Sequence, residues 1–148
     1  MYRLPFMLGV FLLFFSRLSD VAAYQLTPHS LATGTAAAVL SVLGLFTAIW
    51  ARFTLAGNWS TDVTFKKDHT LIETGPYRFA RHPIYTGLSL MFAGTALVAG
   101  RAGTYAGALL CFFALCIKLR FEERLLERHF PEYGAYKARV KAIIPFIL

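Results

Sequence analysis

Residues that could do chemistry are concentrated in two polar segments of an otherwise apolar chain. The first segment contains Arg81, His82, Pro83 and Tyr85. Proline is favoured in the first turn of a helix, so we expect a helix to begin at Pro83 with His82 at its N-cap. Free backbone N–H groups, the helix dipole and the two basic side chains would together suit a carboxylate or a phosphate. Gly87 follows one turn later and would let a bulky ligand come close.

The second polar segment begins at Lys118 and includes the adjacent acids Glu122 and Glu123. Lys118 and Glu122 are four residues apart and share a face of the predicted helix. Glu122 and Glu123 point about 100° apart, so we expect only one carboxylate to face a site. Further along, Tyr133 and Tyr136 are three residues apart and could close over a flat, apolar ligand.

Both segments also permit an interpretation without chemistry. Arg81 and His82 could anchor a helix at anionic lipid headgroups, at about 1 kcal/mol per basic residue. The interleaved charges after Lys118 are typical of a solvated helix face. On the residue pattern alone these alternatives stay open.

Long apolar segments must position these residues. Residues 31–51 contain no charge, and residues 84–100 and 102–117 are also uncharged. At 1.5 Å per residue, such segments approach the hydrocarbon thickness of a bilayer, about 30 Å. The pattern predicts an all-α, polytopic membrane protein with about four transmembrane helices, a cytoplasmic loop and a C-terminal helical tail. The last two spans form a hairpin that turns at residues 100–103, and Gly87, Gly94, Gly103 and Gly107 favour close helix packing.

The first apolar segment, residues 4–15, has two interpretations. It could be a transmembrane span that continues towards Tyr24. Alternatively, the basic start at Arg3 and the small residues 21–23 resemble a cleavable signal peptide.

Composition sets the class of protein. The 148 residues are 57% hydrophobic and only 16% charged, which argues against both a soluble enzyme and a disordered tail. We therefore expect one membrane domain over residues 1–148. The net charge of +7 indicates cytoplasmic loops and anionic lipid rather than nucleic acid. The spacing of Cys111 and Cys116 predicts neither a disulfide nor a metal site.

The positive charges also predict sidedness. Residues 52–82 and the tail from Lys118 carry 12 of the 15 Lys and Arg residues. By the positive-inside rule both segments face the cytoplasm, and the turn at residues 100–103 faces outward. We expect a multi-pass protein of a bacterial inner membrane with its site open to the cytoplasm.

Several short motifs in a fixed order, over residues 58–146, resemble the isoprenylcysteine carboxyl methyltransferase family, which is related to the phospholipid N-methyltransferases. The chain looks like a short, bacterial-type member. The motifs that carry the resemblance are Asn58-Trp59-Ser60, His69-x-Leu71-Ile72-x-x-Gly75-x-Tyr77, Arg81-His82-Pro83-x-Tyr85-x-Gly87, Glu122-Glu123, and Tyr133-x-x-Tyr136 with Arg139-Val140 and Pro145.

The resemblance implies a membrane enzyme that uses S-adenosylmethionine and needs no metal, with its cofactor-binding part at residues 58–146. It implies substrate contact by Lys118, where eukaryotic members have arginine, or by Arg120, and catalytic roles for His82, Tyr85 and Lys118. The residues implied to hold the cofactor are His69, Thr70, Leu71, Ile72, Tyr77, His82, Pro83, Ile84 and Tyr85, with one of Glu122 and Glu123.

The expected reaction is methyl transfer to a lipidic or amphiphilic acceptor that enters from the bilayer, with an isoprenylcysteine-type carboxylate as the first choice. A phospholipid amine or a thiol is the alternative acceptor, and would need a base such as His82. A non-catalytic membrane scaffold subunit is the alternative from another class. A transporter is disfavoured because the sequence shows no inverted repeat.

Overall fold

The computed structural model describes residues 2–18, 23–55 and 71–143. Over these residues the fold is all-helical apart from one isolated bridge between Gln25 and Arg101. The all-α prediction is therefore confirmed. Two short 3-10 turns, Ser16–Leu18 and Gly75–Arg78, accompany the α-helices. The helices are α1 (Arg3–Phe15), α2 (Leu31–Leu55), α3 (Pro83–Ala99), α4 (Ala102–His129) and α5 (Tyr133–Arg139).

The predicted hairpin is formed by α3 and α4. Gly100 ends α3 in the left-handed conformation, with φ of +68°, which glycine adopts without a steric penalty. Arg101 then caps α4. The Gly100 carbonyl accepts the N–H groups of Leu26 and Thr27 at 2.8 and 3.0 Å, so the segment before α2 is tied to the hairpin turn.

Glycines set how closely the helices pack. A Cβ on Gly87 of α3 would lie 2.5 Å from the Gly44 carbonyl oxygen of α2, and a Cβ on Gly107 of α4 would lie 2.7 Å from the Gly9 carbonyl oxygen of α1. The predicted packing roles of Gly87 and Gly107 are confirmed. The expectation that Gly87 makes room for a ligand is wrong, because the backbone of α2 occupies that space.

Only part of the four-span arrangement follows from the helix lengths. Among the described residues, α2 and α4, with 25 and 28 residues, are long and apolar enough to cross a membrane. The apolar helices α1 and α3 have 13 and 17 residues. The α-helix α1 ends at Phe15 and a 3-10 turn follows over Ser16–Leu18; residues 19–22, through which the first span is expected to continue towards Tyr24, lie outside the described residues. Large apolar side chains on the outer faces are exposed, as a lipid environment requires; they include Leu4, Met7, Phe14, Leu31, Val42, Phe46, Phe53 and Leu109.

The chain after α4 folds back onto the start of α3. α4 ends at His129, just before Pro131, and α5 follows. The next residues lie beside the α3 N-terminus, where Arg81 N–H donates to Lys141 and His82 N–H donates to the carbonyl of Ala142, both at 2.8 Å. The tail therefore fixes the polar segment that precedes α3 against the polar end of α4.

Candidate functional site

The start of α3 has the predicted residues but fewer free donors than expected. His82 is the N-cap and Pro83 occupies the first helical position. The N–H groups of Tyr85 and Thr86 donate to the His82 carbonyl at 2.9 and 3.1 Å, and His82 N–H donates to Ala142. Because proline has no N–H, the backbone here offers little to an anion, and side chains must supply the recognition.

The His82 ring lies between the two adjacent glutamates of α4. Its Nδ1 is 3.7 Å from Glu122 Oε2, and its Nε2 is 3.4 Å from Glu123 Oε1. Neither distance has hydrogen-bond geometry, and the buried Nε2 has no hydrogen-bond partner among the described residues. The ring also stacks on Tyr85, with centroids 5.5 Å apart and an interplanar angle of 7°.

Glu122 joins the side chains of α3 and α4 on one face. Tyr85 donates its hydroxyl to Glu122 Oε1 at 2.7 Å, and Lys118 Nζ lies 3.6 Å from the same oxygen. The Glu122 side chain is 23% exposed. We call the group of His82, Tyr85, Lys118 and Glu122 the hairpin cluster. It brings a carboxylate, an ammonium, a phenol and an imidazole together where the apolar part of the hairpin ends.

Glu123 faces a different set of partners. Arg81 donates from Nε and Nη2 to Glu123 Oε1 at 2.8 and 2.5 Å, and both side chains are buried. Lys137 Nζ lies 3.2 Å from the other oxygen. Burial opposes ionisation, but the neighbouring His82 and Arg81 side chains outweigh it and lower the pKa of Glu123 to about 2. The remaining guanidinium nitrogen of Arg81 donates to the carbonyl of Val140.

The two glutamates therefore point to different surroundings, in agreement with the expected 100° separation. Glu123 and Arg81 form a buried ion pair that ties α4 to the α3 start and to the end of α5. Arg81 is committed to this pair, so the idea that it helps to seat a bound carboxylate has no support in its contacts. Glu122 remains directed at the hairpin cluster.

Three tyrosines lie behind the cluster as packed core. Tyr133 and Tyr136 are 1% and 2% exposed, with ring centroids 5.9 Å apart. Tyr136 donates its hydroxyl to the Tyr77 carbonyl at 2.7 Å. Both rings pack with Phe130 in the core, and the prediction that they close over a flat, apolar ligand stays a prediction. Burial, with the nearby Tyr136 and Glu122, raises the pKa of Tyr77, so its phenol stays protonated.

Other candidate residues are dispersed. Leu71 packs against the cluster of Phe130, Tyr133 and Tyr136. Ile84 is partly buried and packs against the core around Tyr85. Ile72 is half-buried, and Arg120 is exposed and outside the hairpin cluster. His69 and Thr70 lie outside the described residues.

One residue of the site was missed by the sequence analysis. Lys118 Nζ lies 5.7 Å from the centroid of the Tyr2 ring, the same distance as from the Tyr85 ring. Tyr2 belongs to the start of α1, and it meets the cluster only because α1 packs on α4. The sequence around Tyr2 carries no motif that could have indicated this contact.

The described residues contain no group of three or more His, Cys, Asp or Glu side chains arranged to hold a metal ion. Cys111 and Cys116 are both free thiols, as predicted. The chemistry available at the hairpin cluster is therefore hydrogen bonding, charge pairing and aromatic contact with a cation.

These features define a class of protein, a helical membrane protein with a polar site at the mouth of a hairpin. Comparison with known families then identifies the family. The profile of the family described as phospholipid methyltransferase matches residues 32–133, more than half of the chain. The chain belongs to this family, and the resemblance that the motifs indicated is confirmed.

The proteins similar to this chain include a methyltransferase, a metal resistance protein and a protein named only YpbQ. The chain is 36% identical over 115 residues to protein-S-isoprenylcysteine O-methyltransferase of Saccharomyces cerevisiae, covering 74% of this chain and 47% of that protein. It is 33% identical over 121 residues to the nickel-cobalt-cadmium resistance protein NccN of Alcaligenes xylosoxydans xylosoxydans, covering 76% and 53%. It is 26% identical over 132 residues to YpbQ of Bacillus subtilis, covering 84% and 74%. The chain thus spans about half the length of the first two relatives.

Proposed function

We propose that this chain is an S-adenosylmethionine-dependent membrane methyltransferase whose acceptor is the carboxylate of an isoprenylcysteine-type molecule. The observation that carries the proposal is the hairpin cluster, in which Glu122 contacts both Tyr85 and Lys118 beside the His82 ring. Membership of the phospholipid methyltransferase family supports methyl transfer as the reaction.

The residues present fit S-adenosylmethionine. When bound, this cofactor supplies a methyl group activated by a sulfonium, together with an ammonium and a carboxylate. Glu122 is the partly exposed acid that would accept hydrogen bonds from the ammonium or from ribose hydroxyls. The His82 imidazole, which lies beside Glu122, would donate an N–H to the carboxylate.

The chain's own contribution to the reaction would be positioning and charge. Lys118 lies one turn before Glu122, at the end of the apolar part of α4, where a lipidic acceptor could present its carboxylate. A carboxylate acceptor is already deprotonated, so the site needs no general base. Orientation of two bound reactants alone can supply about 7–11 kcal/mol of the barrier reduction.

The proposed setting is a multi-pass protein of a bacterial inner membrane. In this proposal α1 and α3 are the shorter members of four spans, and the hairpin cluster opens to the cytoplasm. The support is the charge distribution, since 12 of the 15 Lys and Arg residues lie in residues 52–82 and in the tail.

The first test is calorimetric binding of S-adenosylhomocysteine to the detergent-solubilised, full-length chain. Wild-type protein should bind, and His82→Ala should bind about ten-fold or more weakly while remaining folded, because a hydrogen bond to a charged group is worth roughly 1.5–3 kcal/mol. Glu127→Gln is the matched control, because Glu127 lies further along α4 and is exposed. Absence of binding by the wild type would overturn the cofactor assignment.

The second test identifies the acceptor. Methyl-labelled S-adenosylmethionine should label an isoprenylcysteine carboxylate and leave its methyl ester analogue unlabelled. Labelling of phosphatidylethanolamine instead would favour the amine alternative. The matched family is described as phospholipid methyltransferase, which is the reason for testing this acceptor. In that case His82→Ala should leave cofactor binding intact and abolish turnover, because the amine needs a base.

A further inference from the structure

Tyr2 lies outside residues 32–133, which match the family profile, and yet its ring meets the hairpin cluster. Lys118 Nζ is 5.7 Å from the ring centroid of Tyr2 and 5.7 Å from that of Tyr85. Both distances are within the roughly 6 Å at which an aromatic face attracts a cation. The ammonium is therefore flanked by one ring from the start of α1 and one ring from α3.

The position of Tyr2 is set by helix packing. Tyr2 is the N-cap of α1, and its carbonyl accepts the N–H of Phe6 at 3.2 Å. The Phe6 ring packs edge-on against Phe92 of α3, with centroids 6.2 Å apart. Further along α1, Gly9 lies against the backbone of α4. These contacts hold the start of α1 over the cytoplasmic end of the hairpin in the proposed topology.

Lys118 needs contacts other than Glu122 to keep its position if Glu122 binds the cofactor. A lysine at the end of an apolar helix ordinarily extends its flexible chain towards water and lipid headgroups. Here Glu122, at 3.6 Å, is the acid that pairs with the ammonium. Under the proposed function Glu122 is engaged by the cofactor, and among the described residues the two rings then keep the ammonium at the cluster.

We propose that Tyr2 is a positioning residue for the methyl acceptor. It holds the Lys118 ammonium against Tyr85, so that the ammonium pairs with the acceptor carboxylate while Glu122 holds the cofactor. Tyr2 acts through Lys118 and not by touching the acceptor. This inference rests on the proposed function, and it assigns a role in acceptor binding to the part of the chain that precedes the family-matched region.

The test compares three variants of the full-length protein in detergent. Tyr2→Leu removes the ring, Tyr2→Phe keeps it without the hydroxyl, and Tyr24→Leu alters a residue that is 66% exposed beside the hairpin turn. Tyr2→Leu should raise the KM for N-acetyl-S-farnesylcysteine about five- to ten-fold, with the Kd for S-adenosylhomocysteine changed less than two-fold. Tyr2→Phe and Tyr24→Leu should match the wild type.

A second measurement does not depend on turnover. Acylation of Lys118 by an amine-reactive reagent, followed by mass spectrometry, should be faster in Tyr2→Leu and unchanged in Tyr2→Phe. An unchanged acceptor KM in a folded Tyr2→Leu protein, or a loss that Tyr2→Phe shares, would overturn the inference. Failure of the proposed function is distinguishable, because the wild type itself would then bind no S-adenosylhomocysteine; that result would remove the acceptor role of Tyr2 as well.

Discussion

Glu122 and Glu123 are adjacent, but replacing each by glutamine should have a different consequence. Glu123→Gln should mainly lower the stability of the fold, and Glu122→Gln should mainly weaken cofactor binding. Glu123 and Arg81 form an ion pair whose side chains are 9% and 8% exposed, so Glu123→Gln leaves a buried guanidinium without its counter-ion. Removing one partner of a buried pair costs about 3–5 kcal/mol. The lowered pKa gives a second figure, since a change from 4.5 to about 2 corresponds to about 3 kcal/mol. We expect Glu123→Gln to lower the free energy of unfolding by about this amount.

Glu122→Gln should behave differently. The Glu122 side chain is 23% exposed, and an amide oxygen can still accept the Tyr85 hydroxyl at 2.7 Å. The lost ion pair with Lys118 is partly exposed and worth about 1 kcal/mol or less. Affinity for S-adenosylhomocysteine should nevertheless fall ten-fold or more, or about 1.4 kcal/mol, because the charge that meets the cofactor is gone.

Both variants are to be purified in the same detergent and compared by thermal unfolding, followed by circular dichroism, and by calorimetric binding. The expected result is a lower melting temperature for Glu123→Gln and weaker binding with near-wild-type melting for Glu122→Gln. Equal destabilisation by the two changes would refute the division of roles. So would a fully stable Glu123→Gln protein that fails to bind, because Glu123 would then be the cofactor ligand.

Three further outcomes follow from the same structure. Folding lowers the pKa of Glu123, so this carboxylate stabilises the fold above about pH 4.5 and loses its contribution as the pH falls towards 2. The free energy of unfolding of the wild type should therefore drop between these pH values. That of Glu123→Gln should change less over the same range. Gly87→Leu should destabilise the fold by separating α2 from α3, whereas Gly34→Leu, with open space around its Cβ position, should change the melting temperature little. In a cysteine-free background, a cysteine at Arg101 should react with an impermeant reagent added outside the cell and one at Lys137 should not; labelling at Lys137 would reverse the proposed topology.

The local features of the fold could be predicted because single residues determine them. Pro83 fixes the start of α3 and places His82 at the N-cap, and Gly100 ends the same helix with a positive φ. The lack of charge in the apolar segments likewise indicates the helices before any packing is known. The boundary of α1 was less predictable, because neither proline nor glycine marks the place after Phe15 where the α-helix ends.

The partners of the polar residues were harder to predict, because they depend on which helices touch. Arg81 and Tyr85 are close in sequence, yet one meets Glu123 and the other meets Glu122. Gly87 looked like space for a ligand because its neighbour α2 is not evident from the motif. Tyr2 and Lys118 are more than a hundred residues apart in sequence, and no sequence pattern around either residue indicates that they are in contact.

The adjacency of Glu122 and Glu123 explains how one helix turn can serve the fold and the site together. Successive side chains on a helix diverge by about 100°, so Glu123 meets Arg81 inside the protein while Glu122 reaches the hairpin cluster. His82 lies 3.7 Å from one carboxylate and 3.4 Å from the other. The Arg81–Glu123 pair therefore lies against Nε2, on the other side of the imidazole from Glu122. A site that works by positioning gains from this arrangement, because the ion pair that anchors the tail also fixes the orientation of the residue that would meet the cofactor.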